Sequence, residues 1–134
     1  MLFRSVCYVS LKPGAAVTAN ELRAFSEPQI AERPAWPKNY FVVDNIPVTA
    51  VGKIFKPALR ADAARRLVES TVANITGSES ATTIVKPEGR HGYEIEVRLP
   101  GSLVEHRAAI EADLSGYLFD FSVVATAEVT ANAR

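Results

Sequence analysis

The chain has 134 residues, of which 48% are hydrophobic and 22% charged, as in an ordinary globular domain. Fifteen basic and fifteen acidic side chains give no net charge, which argues against a generic nucleic-acid or anionic-membrane binder. One cysteine cannot form an internal disulfide, and no apolar run approaches the roughly 18 residues of a membrane span. Because the first residues also lack a signal-peptide layout, we expect a cytoplasmic protein with no membrane span and no nucleic-acid partner.

The first predicted elements are a strand and a helix. Residues 2–11 are rich in β-branched and aromatic side chains, which favours a strand. Thr18 and Glu21 have the spacing of a capping box and predict the start of a helix, with Phe25 facing the core. Pro28 should kink or end this helix near Glu27, unless a second turn restarts at Pro28, since proline removes a backbone donor.

The middle of the chain is predicted as strand, loop, helix and strand. Residues 40–43 form a short buried strand, and a loop follows from Asp44 to Phe55. Pro57 suits the first turn of a long helix, and Gly77 is a suitable C-terminal cap. Residues 81–85 are predicted as the next strand.

The last third shows strict alternation over residues 93–99, which predicts a strand with polar side chains on one face. We expect that polar face (Glu94, Glu96 and Arg98) to be solvated. Residues 102–105 match a second capping box before a helix, and residues 119–124 form a last strand. The order β-α-β-loop-α-β-β-α-β predicts an α+β fold in which helices flank a small mixed sheet.

Charge is concentrated in two segments. Residues 38–66 carry six basic and two acidic side chains, whereas residues 78–134 carry five basic and nine acidic ones. A local basic segment suits a small anionic ligand, although a solvated helix face is the alternative.

The loop between residues 45 and 56 carries the most informative motif. It is not a phosphate-binding P-loop, because Pro47 and Ile54 stand where that motif needs glycine and Ser/Thr. Gly52 lets the backbone turn sharply, and Lys53 offers a cation on a long stem. Such a lysine can neutralise a carboxylate and a phosphate that lie side by side.

Residues 5–68 resemble the C-terminal domain of acyl-CoA synthetases, which are acyl-adenylate-forming ligases, and are most similar to the bacterial fatty-acid–CoA ligases. The positions that match the family's last motif in order are Pro47, Thr49, Gly52, Lys53, Ile54, Lys56, Leu59 and Arg60.

The resemblance implies an enzyme that joins a carboxylic acid, of the fatty-acid type, to AMP from ATP (with Mg) and then transfers it to CoA. Lys53 matches the family's catalytic lysine, and the supporting loop residues are Pro47, Thr49, Gly52 and Ile54. Lys56 and Arg60 are candidate contacts to phosphates or CoA, with solvated charges at a helix start as the alternative reading. No metal ligands are expected in this chain.

The resemblance also implies a division of the chain and a partner. Residues 1–77 correspond to the family's C-terminal domain core, without its hinge and glycine-rich hairpin. Residues 78–134 form a β-β-α-β extension that the family pattern does not explain. The large N-terminal adenylation domain is missing, so we expect an inactive fragment that binds no cofactor alone, with homo-oligomer formation left open. The alternative is a stand-alone protein- or nucleotide-binding, regulatory module without catalysis.

Overall fold

Helices and short strands form two structural units in the computed structural model, which describes residues 5–126. The first unit ends at Leu59 and the second begins at Arg60. The elements in chain order are β1 (Val6–Ser10), α1 (Ala19–Ser26), β2 (Asn39–Val43), α2 (Lys56–Thr76), β3 (Thr82–Lys86), β4 (Glu94–Leu99), α3 (Arg107–Leu114) and β5 (Asp120–Ala125). This order confirms the predicted α+β class. Within residues 5–126, every helix is too short or too polar to cross a membrane.

In the first unit, β1 and β2 form a two-stranded parallel sheet. Helix α1 begins at the predicted capping box, where the Thr18 hydroxyl accepts the Glu21 amide at 3.2 Å. The helix gives way at Glu27 to a single 3-10 turn that contains Pro28, as predicted. The prediction for the helix start and end is therefore confirmed.

Helix α1 contacts the sheet through polar side chains. The Arg23 guanidinium lies 5.3 Å from the centre of the Tyr40 ring, and the Ser26 and Tyr40 hydroxyls are hydrogen bonded. Phe25 is 70% exposed, so the prediction that it faces the core is wrong. With 3.6 residues per turn, Phe25 points about 200° around the helix from Arg23 and therefore away from Tyr40.

In the second unit, the three-stranded sheet has the order β3-β4-β5, with β3 antiparallel and β5 parallel to β4. Helix α2 ends where the Gly77 amide donates to the Ala73 carbonyl at 2.8 Å, with Gly77 at a φ of +68°. The hydrophobic core combines one face of the sheet with α2 and α3. Its members are Ala64, Val68, Val72, Ile95, Val97, Leu99, Leu103, Ile110, Leu114 and Val123.

The second predicted capping box is wrong. Residues 101–106 form a 3-10 helix, α3 begins only at Arg107, and neither helix start has a side-chain cap. The Leu103 amide donates to the Pro100 carbonyl at 2.9 Å, so a backbone turn satisfies the amide next to Ser102. Leu103, Ile110 and Leu114 of this segment are nevertheless buried in the core.

The polar face of β4 is not fully solvated, and the prediction is wrong for Glu96, which is only 7% exposed. Its carboxylate accepts hydrogen bonds from Arg98 at 3.0 Å and forms an ion pair with Lys86 at 3.2 Å. Burial alone would raise the pKa of Glu96, but these two cations outweigh it and hold the pKa below its usual value.

Glu96 should make stability depend on pH. Because its pKa is lower in the folded protein, its contribution is full above about pH 4.5 and is lost as the pH falls through the folded pKa. We expect Glu96→Gln to lower the free energy of unfolding at pH 7 by about 1 kcal/mol and to flatten its fall below pH 4.5. Urea titrations at several pH values measure this. Glu105→Gln, at a side chain that is 78% exposed, is the control, and equal curves for the two variants would contradict the prediction.

Candidate functional site

The loop that carries Lys53 is a small β-hairpin in the first unit. Val48 and Ile54 form an isolated antiparallel bridge. Below the bridge, the Phe55 amide donates to the Pro47 carbonyl at 2.8 Å, and above it the Thr49 amide donates to the Lys53 carbonyl at 2.7 Å. The motif residues Pro47, Thr49 and Ile54 therefore hold the two arms of the hairpin together.

The tip of the hairpin places Lys53 directly after a glycine in the left-handed region. The Gly52 amide donates to the Thr49 carbonyl at 2.9 Å, and Gly52 has a φ of +83°. A tight turn followed by such a residue is common in three-residue hairpin loops. The Thr49 hydroxyl also accepts the Lys53 amide at 3.2 Å. Thr49 and Gly52 thus fix the backbone of Lys53 and leave its side chain free to project.

Gly52→Ala should loosen this hairpin through backbone strain. A Cβ at Gly52 would meet no atom within 4 Å, so the cost comes from the left-handed φ, roughly 1–2 kcal/mol. We expect amide hydrogen exchange to show lost protection at Thr49 and Phe55.

Gly14→Ala is a matched control, since Gly14 has a φ of +82° and equally open surroundings. It should cost the same stability and leave the hairpin amides protected. The same loss of hairpin protection in both variants would contradict a local effect.

Lys53 is exposed and takes part in none of the ion pairs among residues 5–126. The nearest acidic residue before it in the sequence is Asp44 and the nearest after it is Asp62. Its ammonium group is therefore available to an anion from outside this part of the chain. Three donors on a flexible stem suit a phosphate or a carboxylate oxygen.

The other two candidate cations lie on α2. Lys56 is the first residue of the helix, and Arg60 follows four residues later. Both are exposed and form no ion pair within the described part of the chain. A cation near a helix N-terminus interacts unfavourably with the helix dipole, so Lys56 and Arg60 do not stabilise the start of α2. Ligand contact and solvated charge stay the two predicted roles for these residues.

The hairpin carries an exposed apolar surface beside Lys53, which the predictions from the sequence did not include. Val51 at the hairpin tip is 80% exposed, and Val48, Ile54 and Phe55 are each more than 40% exposed. Four large apolar side chains on one short hairpin cost free energy in water unless a partner covers them. The signal was present as a run of β-branched residues inside a glycine-containing loop.

The arrangement suits electrostatic chemistry and offers no metal site. Residues 5–126 contain no group of three or more His, Cys, Asp or Glu side chains that could hold a metal ion. Residues 45–55 contain no carboxylate or imidazole that would take a proton from the Lys53 ammonium group, so this side chain can act there as a positioned cation. The attraction between a cation at an apolar tip and an anion is strongest where the tip is buried, because the local dielectric constant is then low.

Comparison with known proteins gives one informative match. The chain is 36% identical over 67 residues to a marinolic acid–CoA ligase from Pseudoalteromonas sp. (strain SANK 73390). The match covers 50% of this chain and 10% of that ligase, so the chain spans about a tenth of the relative's length. No family model matches, and no solved structure gives a significant match. The chain is thus related in part to an acyl-CoA ligase.

Proposed function

We propose that this chain supplies the lysine-bearing C-terminal domain of an acyl-CoA ligase that activates a carboxylic acid of the fatty-acid type. The observation that carries the proposal is Lys53, exposed and without an ion pair among residues 5–126, at the tip of a hydrogen-bonded hairpin. The partial match to a CoA ligase supports the same assignment. Residues 1–77 would form the domain core.

The role of Lys53 follows from the charges of the reaction. In the first half-reaction, the acid's carboxylate attacks the α-phosphate of ATP, and the two groups are both anionic. An ammonium group that contacts both offsets their repulsion and stabilises the charge on the phosphate oxygens in the transition state. The new bond is the acyl–phosphate bond, and pyrophosphate leaves. CoA thiolate then displaces AMP to give the thioester, a step with less need for this cation.

A large adenylation domain is the proposed partner. The matched ligase is about ten times longer than the matched segment, so most of that enzyme has no counterpart here. Six of the eight exposed large hydrophobic side chains among the described residues belong to the first unit, and four of the six are on the hairpin. Tyr40 is the single buried hydrophobic residue of that unit within residues 5–59. Such a surface fits a domain that is covered when it docks.

The proposal can be tested by exchanging the shared segment. Residues 5–68 of this chain replace the corresponding residues of the Pseudoalteromonas ligase, and pyrophosphate release is followed with ATP and the ligase's acid. We expect the chimera to release pyrophosphate well above a ligase that lacks the segment. A chimera that binds ATP normally but releases no more pyrophosphate than the deletion control would contradict the proposal. That result would favour the non-catalytic binding module.

A further inference from the structure

A cleft of about 540 Å³ lies within the second unit, away from the Lys53 hairpin in the sequence. One wall is the C-terminal half of α2, with Ser70, Ala73 and Asn74. The other wall is β3 and the segment before it, with Ala81 and Thr83. The volume is in the range of ordinary ligand sites. Nothing in the proposed ligase chemistry uses this cleft.

The cleft lies along a free sheet edge. Within residues 5–126, β3 pairs with β4 alone, and the sheet order places it at the edge. No residue of β4 or β5 lines the cleft, so it is on the outer side of β3. Alternate N–H and C=O groups of β3 therefore point toward it without a strand partner in the described chain. A groove between an edge strand and a helix is the geometry in which extended peptides add as a further strand.

The side chains at this edge do not block such pairing. Strand β3 contains no proline, and Thr83 and Val85 lie on the face that also carries the buried residues of β4. Val85 is an exposed large hydrophobic residue two positions beyond the cleft residue Thr83. An added strand would cover Val85 and place every second side chain of its own against α2.

The charged residues that line the cleft favour a basic ligand. Arg66, the cation of the cleft, is held by Asp62, with 2.7 Å between Nε and Oδ2. Glu69 is paired with Arg65 at 2.7 Å, whereas Glu79 is exposed and forms no ion pair within residues 5–126. The cleft therefore presents one uncompensated carboxylate beside neutral hydroxyl and amide groups. Residues 60–134 also carry eleven acidic and eight basic side chains.

We propose that this cleft binds an extended, basic polypeptide segment of a partner protein as a fourth strand on β3. Backbone hydrogen bonds to β3 supply the affinity, and a lysine or arginine facing Glu79 supplies the charge preference. The residues after about 77, which the acyl-CoA ligase pattern leaves unexplained, thereby gain a role as a docking module. This role does not depend on the adenylation chemistry.

The test uses the full chain and a capped synthetic hexapeptide of alternating lysine and valine. Binding is followed by amide chemical shifts. We expect saturable shifts that map to β3 and to the residues of α2 after Arg66. A control hexapeptide in which glutamate replaces each lysine should cause no such shifts. Two further lysine–valine peptides are N-methylated, one at its lysines and the other at its valines. At least one of them should bind tenfold or more weakly, because its backbone cannot donate hydrogen bonds to β3.

Glu79→Lys tests the charge preference. We expect affinity for the lysine peptide to fall about fivefold, as for loss and reversal of one exposed ion pair. Glu88→Lys is the matched control, since Glu88 is exposed, makes the same charge change and does not line the cleft. The proposal is overturned by no saturable binding at millimolar peptide, by equal binding of the acidic peptide, by full binding of both N-methylated peptides, or by equal effects of the two variants.

Discussion

Lys53→Ala in the chimeric ligase is expected to slow acyl-adenylate formation by about 100- to 1,000-fold. The variant removes one positioned cation from between two reacting anions, and the loss of a single such donor typically has this size. Stability should change little, because the Lys53 side chain is exposed and makes no ion pair within residues 5–126. Release of pyrophosphate in a single turnover measures the effect.

Lys12→Ala and Lys38→Ala are the controls for this experiment. Both lysines are exposed in the first unit and lie outside the hairpin, so each variant removes the same charge from the same unit. We expect each to keep most of the adenylation rate. Lys53→Arg keeps the charge but changes the shape of the donor, and it should fall between alanine and the parent. A loss of less than about threefold for Lys53→Ala would remove the lysine from the mechanism.

Leu114→Ala is expected to lower the free energy of unfolding of the second unit by about 2–5 kcal/mol. Leu114 is fully buried among the residues that join α3 to the sheet. Its truncation loses apolar burial and leaves a cavity that the neighbouring side chains fill only in part. Since small domains are stable by about 5–15 kcal/mol, the change is large. Urea denaturation followed by circular dichroism measures it.

Leu118→Ala supplies a control with the same chemistry four residues later. Leu118 is 68% exposed, so its truncation should change stability by less than about 0.5 kcal/mol. Equal destabilisation by the two variants would mean that the core is not built around Leu114.

Local signals in the sequence predicted helix ends and strands well where neighbouring residues determine the backbone conformation. Thr18 and Glu21 form the predicted capping box, and Pro28 and Gly77 lie at the predicted helix ends. Alternation over β4 predicted its buried face, and Ile95, Val97 and Leu99 are fully buried. These features follow from backbone hydrogen bonding and from side-chain periodicity, both of which can be read from short stretches.

The wrong predictions concern features that depend on which partner a residue finds, whether a nearby carbonyl or a neighbouring strand. Ser102 matches a capping box in sequence, yet the carbonyl of Pro100 satisfies the next turn. Glu96 occupies a polar position of an alternating strand, but Lys86 on the neighbouring strand covers it. Phe25 belongs to a helix whose contact with the sheet runs through Arg23 instead. Periodicity gives a side chain's direction and not its partner.

For the candidate site, the motif indicated Lys53 as the candidate residue but did not predict the hairpin that carries it. The order of Pro47, Thr49, Gly52 and Lys53 indicated a ligand-binding loop, whereas the hairpin and its exposed apolar tip required the structure. The domain boundary after residue 77 rests on the family resemblance and remains a proposal. The two structural units divide between Leu59 and Arg60, within α2.

The most direct test of the proposed role of Lys53 separates the two half-reactions in the Lys53→Ala chimera. Acyl-adenylate formation is measured from acid and ATP, and thioester formation is measured from supplied acyl-adenylate and CoA. We expect the first rate to collapse while the second stays close to that of the parent chimera, because Lys53 is proposed to act only where the carboxylate meets the α-phosphate. An equal loss in both rates would contradict it.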